Sequence, residues 1–161
     1  MDPRSQHGLT LTELIIVMAL AALVTVGLVT FYLNSQGMWM DASTQSLVQR
    51  DATLIVERLS HRTHLAYSAE ILNDPDSLRQ TLILFARNGD ETSRFWWNDN
   101  DSLIHYSIGT SGSDRGPVAG SKIERFQVDR NDTHVFLKRL KMLTVMGDPV
   151  ELSSTMAFYN K

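Results

Sequence analysis

The sequence predicts an α+β protein, a long N-terminal helix followed by a mostly antiparallel β-sheet head, and three observations carry that prediction. From Leu14 to Leu33 the chain runs twenty residues without a charge. From Asp41 to about Glu70 apolar residues recur at spacings of three and four, as on one face of a helix. Beyond Asn73-Asp74-Pro75 the pattern changes to short β-like runs separated by turn residues.

The uncharged stretch sets the cellular context. A helix rises about 1.5 Å per residue, so twenty residues cover about 30 Å, the thickness of a bilayer's hydrocarbon layer. A removable secretory signal has a shorter apolar core of about 7 to 15 residues and a small-x-small cleavage site behind it. Here the following residues are NSQGMWM, and Ala19, Ala21 and Ala22 lie inside the stretch. The segment therefore reads as a retained anchor, with residues 9–37 forming a transmembrane helix whose apolar part spans Leu14 to Leu33.

The second helical stretch, residues 38–72, is amphipathic. Val48, Ala52, Ile55, Val56, Leu59, Thr63 and Ala66 form one stripe suited to packing on a sheet, while Glu57, His61 and His64 fall opposite. Anchor and amphipathic stretch read as one helix, with Asn34-Ser35-Gln36-Gly37 as a flexing point between them. Residues 73–161 form the β-rich head, with strands expected over Thr81 to Arg87, Arg94 to Asn98, Leu103 to Ile108, Ile123 to Arg130, His134 to Met146 and Val150 to Tyr159. In the last of these Val150, Leu152, Met156 and Phe158 share a face, and Gly147-Asp148-Pro149 supplies the preceding turn. Gly109 to Ser121 reads as a flexible loop.

Bulk composition narrows the function. At 161 residues the chain has room for one modest globular domain beside the N-terminal segment. A formal net charge of −3 with no long run of one sign gives no push toward nucleic acid. Cysteine is absent, which excludes disulfides, thiolate metal sites and cysteine nucleophiles.

Just before the apolar span stands Gly8-Leu9-Thr10-Leu11-Thr12-Glu13-Leu14, with a carboxylate at the mouth of the membrane segment. An acid within a membrane helix costs about 2.5–3.5 kcal/mol on insertion scales, less near the interface, so Glu13 calls for a role. The helix dipole, which favours a negative charge in the first turn, is one such role. The string GLTLTELIIVMAL also resembles the N-terminal signature of type IV prepilins and pseudopilins. In that family a leader ends in Gly, an apolar residue follows, and Glu stands fifth in the mature chain. The resemblance implies that residues 1–8 are a leader, that a membrane aspartyl peptidase cuts between Gly8 and Leu9, and that the new amine of Leu9 is methylated. It also implies a subunit-assembly role for Glu13, pairing with the cationic amine of a neighbouring subunit in a low-dielectric setting. Leu9 and Glu13 stand one helical turn apart, at i and i+4.

The leader is weakly basic, and Arg4 and Arg50 on either side of the span nearly balance under the positive-inside rule. Orientation therefore follows from the resemblance: an inner-membrane, single-pass protein with its C-terminal head in the periplasm or outside, later carried into a filament or its tip. The proline that major pilins often carry in this helix is missing, leaving Thr25, Gly27 and Thr30 as its only softeners. The remainder looks most like minor pilins and the J-type minor pseudopilins of type II secretion. The partners this implies are other pilin or pseudopilin subunits, the prepilin peptidase and the inner-membrane assembly platform.

Other constellations read as structural. Glu57, His61 and His64 have metal-ligand spacing, yet a solvated face opposite an apolar stripe explains it. Asn98-Asp99-Asn100-Asp101-Ser102 is rich in oxygen but lacks the Gly and distal Glu of an EF-hand, so it reads as a hairpin turn. Lys138, Arg139 and Lys141 near His134 are too few for a nucleic-acid footprint, since phosphate binding draws on many neutralised contacts. On a strand Phe95 and Trp97 share a face and Trp96 takes the other, so core filling accounts for most of that run. No catalytic constellation stands out and no cofactor or metal is expected. Two alternatives remain beside the pilin reading: a DNA-contacting competence pilin, and a signal-anchored binding domain that keeps residues 1–8.

Overall fold

The computed structural model describes residues 10–73, 80–98, 100–109, 113–144 and 147–159. The fold is α+β, as the sequence predicts, a long helix followed by two antiparallel sheets. The chain divides into two compact units, Met1–Ala42 and Ser43–Lys161.

Helix α1 covers Leu11–Leu65. Its apolar part, residues 14–33, has no side chain buried inside the protein, with Leu14 52% and Phe31 72% exposed. The hydroxyls of Thr25 and Thr30 donate to the carbonyl oxygens of Ala21 and Val26 at 2.7 and 2.9 Å, so neither leaves a bare polar group on the apolar rod. The expected flexing point at Asn34–Gly37 is helical throughout. One glycine costs a helix about 1 kcal/mol, too little to break it when the flanking residues are adequate helix formers.

In the second unit α1 buries Val48, Asp51, Ala52, Ile55, Leu59 and Thr63, the expected stripe with one carboxylate added. Its end differs from the expected residue 72. The Ala66 amide donates to the Thr63 carbonyl at 3.1 Å, tightening the last turn, and the Tyr67 amide donates to the Phe85 carbonyl at 2.8 Å, which starts a sheet. Ser68–Asn73, read as helix from sequence, is strand β1. Its Ala-Glu-Ile-Leu core suits a helix locally, but antiparallel pairing with the next strand overrides that propensity. Of the expected helix stop Asn73-Asp74-Pro75, Asn73 closes β1, and residues 74 and 75 lie outside the described residues.

The first sheet continues with β2 (Gln80–Phe85), β3 (Glu91–Asn98), β4 (Leu103–Ile108) and β5 (Asp114–Pro117), paired in chain order. Strand β5 lies inside the stretch read as a flexible loop. Carrying no large apolar residue, it gives no strand signal of its own, and it is held by pairing with β4 at His105 and Ser107. The second sheet is β6 (Ile123–Arg130), β7 (His134–Leu143) and β8 (Pro149–Ala157), also in chain order. The turn into β8 carries Gly147 at φ 92°, a conformation that favours glycine.

Strand β7 places Val135, Leu137, Leu140 and Met142 in the core, a two-three-two spacing rather than strict alternation. A bulge accounts for it: the register shifts between Leu137 and Leu140 against β8, and between Gln127 and Val128 against β6. The extra residue turns Lys138 and Arg139 outward together and returns Leu140 to the interior. Phe95, Phe126, Ile55, Leu59, Leu82, Leu84 and Ile104 join these residues in one core. Phe95 is fully buried while Trp96 and Trp97 are half-buried, in keeping with the core-filling reading of that run.

A candidate processing and assembly site at the N-terminus

Gly8 and Leu9, the expected cleavage and methylation positions, lie outside the described residues. The description begins at Thr10, which organises the start of α1. Its amide and hydroxyl both donate to Oε2 of Glu13, at 2.8 and 2.9 Å, and the Glu13 amide donates back to the Thr10 hydroxyl at 3.3 Å. This is a reciprocal capping box. Two of the amides that a helix start leaves unpaired are satisfied, and the acid sits where the positive end of the helix dipole favours it. Among the described residues nothing engages Oε1 of Glu13. One carboxylate oxygen thus closes the helix start. Thr10 was not singled out from sequence, although Thr-x-x-Glu ahead of an apolar run is the signature of such a cap.

Behind the cap stands the span itself. α1 is the one helix among the described residues long and apolar enough to cross a membrane. Buried apolar surface stabilises by about 25 cal/mol per Å². A rod exposed all round over twenty residues forgoes that gain until lipid or other helices cover it.

In the second unit the remaining candidates resolve into structural roles. Glu57 and His61 line an open cleft of about 410 Å³ with Leu54, Arg58, Arg62 and Val118. His64, expected on the same solvated face, instead packs against Tyr159 in a tilted pair with ring centres 4.2 Å apart and lies 3.5 Å from the Ser60 hydroxyl. Among the described residues no group of three His, Cys, Asp or Glu could hold a metal ion. The oxygen-rich segment is a turn between β3 and β4, in which Asn98 and Asp101 accept from the amides of Asn100 and Leu103 at 3.2 and 3.0 Å. Asp99 lies outside the described residues. Each cation of the basic group has an acid within reach: Lys138 with Asp129 at 2.7 Å, Lys141 with Glu124 at 2.8 Å, Arg139 with Glu151 at 3.7 Å.

Two buried polar features escaped the sequence reading. His105, only 6% exposed, is gripped at both ring nitrogens, Nε2 by Asp101 Oδ2 and Nδ1 by Asp114 Oδ2, each at 2.7 Å. Burial, the largest single influence on this imidazole, pushes its pKa down. The hydrogen bonds and charges of the two aspartates outweigh burial and raise it above the usual histidine value. The hydrogen bond from His105 holds the Asp101 carboxyl below its usual range. On the helix, Asp51 accepts from the Ser121 hydroxyl at 2.7 Å.

Comparison with known proteins bears on the N-terminal site. Residues 3–29 match the family described as "Prokaryotic N-terminal methylation motif". No match was found among curated proteins or among solved structures. The matched segment takes in Gly8, Leu9, the Thr10–Glu13 cap and most of the apolar span, and such a motif points to a structural subunit rather than an enzyme. Motif and apolar helix together support a membrane-anchored, type IV prepilin-like chain whose N-terminus is processed.

Proposed function

We propose that the chain is a minor pilin or pseudopilin, a structural and assembly-initiating subunit of a type IV pilus or type II secretion pseudopilus. Prepilin peptidase cuts after Gly8, the amine of Leu9 is methylated, and Glu13 pairs with such an amine on a neighbouring subunit. The observation that carries this reading is the methylation motif over residues 3–29 running directly into an uncharged apolar helix. Glu13 supports it, since among the described residues helix capping engages only its Oε2. Its partners are sibling subunits, the peptidase and the inner-membrane assembly platform, with the head in the periplasm or outside.

Mass spectrometry of the protein taken from its host's membranes is the decisive test. A chain beginning at methylated Leu9 is expected, and a chain keeping residues 1–8 overturns the reading in favour of a signal-anchored domain. Capping and pairing are separated by two variants. Glu13→Leu should insert in the membrane but fail to enter filaments, whereas Thr10→Ala, which loses the cap alone, should still enter. Equal loss in both would reduce Glu13 to a helix cap.

A further inference from the structure

Beyond Leu33 the helix stays free of charge for seven more residues, so the stretch between Glu13 and Asp41 holds 27 residues with none. At about 1.5 Å per residue, Glu13 and Asp41 stand about 42 Å apart along the axis. The apolar twenty between them match the hydrocarbon, about 30 Å of a bilayer's 40–45 Å, and each headgroup layer takes about 5–7 Å of the remainder. The seven extra residues are the right length and composition for the headgroup layer remote from Glu13. Asn34, Ser35 and Gln36 are polar and uncharged, Gly37 follows, and the last three are Met38, Trp39 and Met40, exposed by 75, 77 and 61%.

Tyr32 and Trp39 lie seven residues apart and so share a face of the helix, with Gln36 between them. The Gln36 amide donates to the Tyr32 hydroxyl at 2.6 Å, which satisfies both polar groups where the apolar stretch ends. Rings with an apolar body and one polar atom gather at membrane–water interfaces. Helical side chains lean toward the N-terminus, so the Trp39 indole covers the turn below its own backbone, that of Ser35 and Gln36.

We infer that Tyr32 and Trp39 are an interfacial anchor for phospholipid, Tyr32 at the edge of the hydrocarbon and Trp39 within the headgroup layer. The anchor fixes how deeply the helix sits, and hence the level of Glu13 at the opposite interface. Lipid is the occupant because the uncharged run outlasts the hydrocarbon by enough to cross one headgroup layer, a match that a partner protein would not require. The inference rests on the membrane-spanning reading of α1 and is independent of cleavage at Gly8.

The full chain carrying Trp96→Phe and Trp97→Phe, reconstituted in phosphatidylcholine vesicles, leaves Trp39 as the single tryptophan. Lipids spin-labelled near the headgroup should quench it at least about twofold more than lipids labelled deep in the acyl chain. A companion chain with Phe31→Trp and Trp39→Phe in the same background should show the reverse order. Quenching at position 31 with none at Trp39, or deeper quenching at Trp39 than at 31, overturns the inference and leaves the span standing. Quenching at neither position overturns both. The absence of cysteine allows a second measurement that keeps Trp96 and Trp97: a nitroxide at Met40→Cys in the otherwise native chain. Trp39→Ala should raise its accessibility to a water-soluble relaxant by about twofold or more, since losing an interfacial aromatic lets the helix shift in depth. No change would overturn the anchoring role.

Discussion

Replacing His105 by alanine should destabilise the head by an amount that depends on pH. The substitution removes a ring that is 6% exposed and packs beside Trp96 at 5.8 Å between centres. Two hydrogen bonds go with it, each worth about 0.5–1.5 kcal/mol net, and the ring's packing adds a further 1–2 kcal/mol or so. The charged part of the clamp adds little, because the Asp101 and Asp114 side chains are 36 and 47% exposed and water screens them. A total of about 2–5 kcal/mol corresponds to a fall of about 8–20 °C in the melting temperature of a domain this size. Calorimetry of the full chain in detergent micelles reads it.

The pH dependence tests the protonation state. His105 has a folded pKa raised above its ordinary 6.5, so its stabilisation is complete below the unfolded value and is lost as pH rises through the folded value. Asp101 has a folded pKa lowered from its ordinary 3.8, so its contribution is present above that value and is lost as pH falls through the folded one. The clamp is therefore strongest between the two, and the gap between wild type and His105→Gln should narrow as the solution passes from mildly acidic to alkaline. A gap constant from about pH 5 to about pH 9 would show that folding leaves the imidazole pKa unshifted, and a loss under about 1 kcal/mol for His105→Ala would refute the packing argument.

Three further outcomes follow from the head. Deleting Lys138 should be tolerated at a cost of about 1 kcal/mol or less, because it removes the bulge and restores strict alternation of Val135, Leu137, Leu140 and Met142 against both neighbours; an unfolded product would refute that register. Leu59→Ala, at a fully buried position on the packing stripe, should lower stability by about 2–5 kcal/mol in denaturant melts, and a change under 1 kcal/mol or so would mean the helix face is not docked. Ser121→Ala strips the hydroxyl from a carboxylate whose side chain is only 11% exposed and should cost about 1–3 kcal/mol in the same assay, whereas no loss would show that water replaces the hydroxyl at Asp51.

What could be read in the sequence was whatever repeats with a period. The uncharged twenty, the stripe from Val48 to Leu59 and the apolar runs of β2, β4 and β6 all announce themselves by spacing, and each forms the expected kind of element. Strand β1 did not, because its residues favour a helix in isolation and only the partner strand turns them into an edge. Strand β5 is four residues with a glycine and a proline, so its signal lies wholly in β4. The β7 bulge was legible in principle, since a two-three-two apolar spacing in a strand requires one extra residue. At the helix start Glu13 is legible as a first-turn acid, and Thr10, its partner in one four-residue capping pattern, was missed. The His105 clamp had no local signal: its two aspartates stand four and nine residues away and meet only through the β3–β4 turn and the arrival of β5.

In both sheets each described strand pairs along its ladder with its neighbour in sequence. Such meanders keep contact order low, and low contact order shortens the search for the native state, since little chain entropy is spent before each hairpin closes. With no cysteine there is also no oxidation step for folding to wait on. A head wired this way can close its hairpins as soon as its chain is available, leaving the meeting of the two sheets and the seating of the amphipathic helix as the long-range events that complete it.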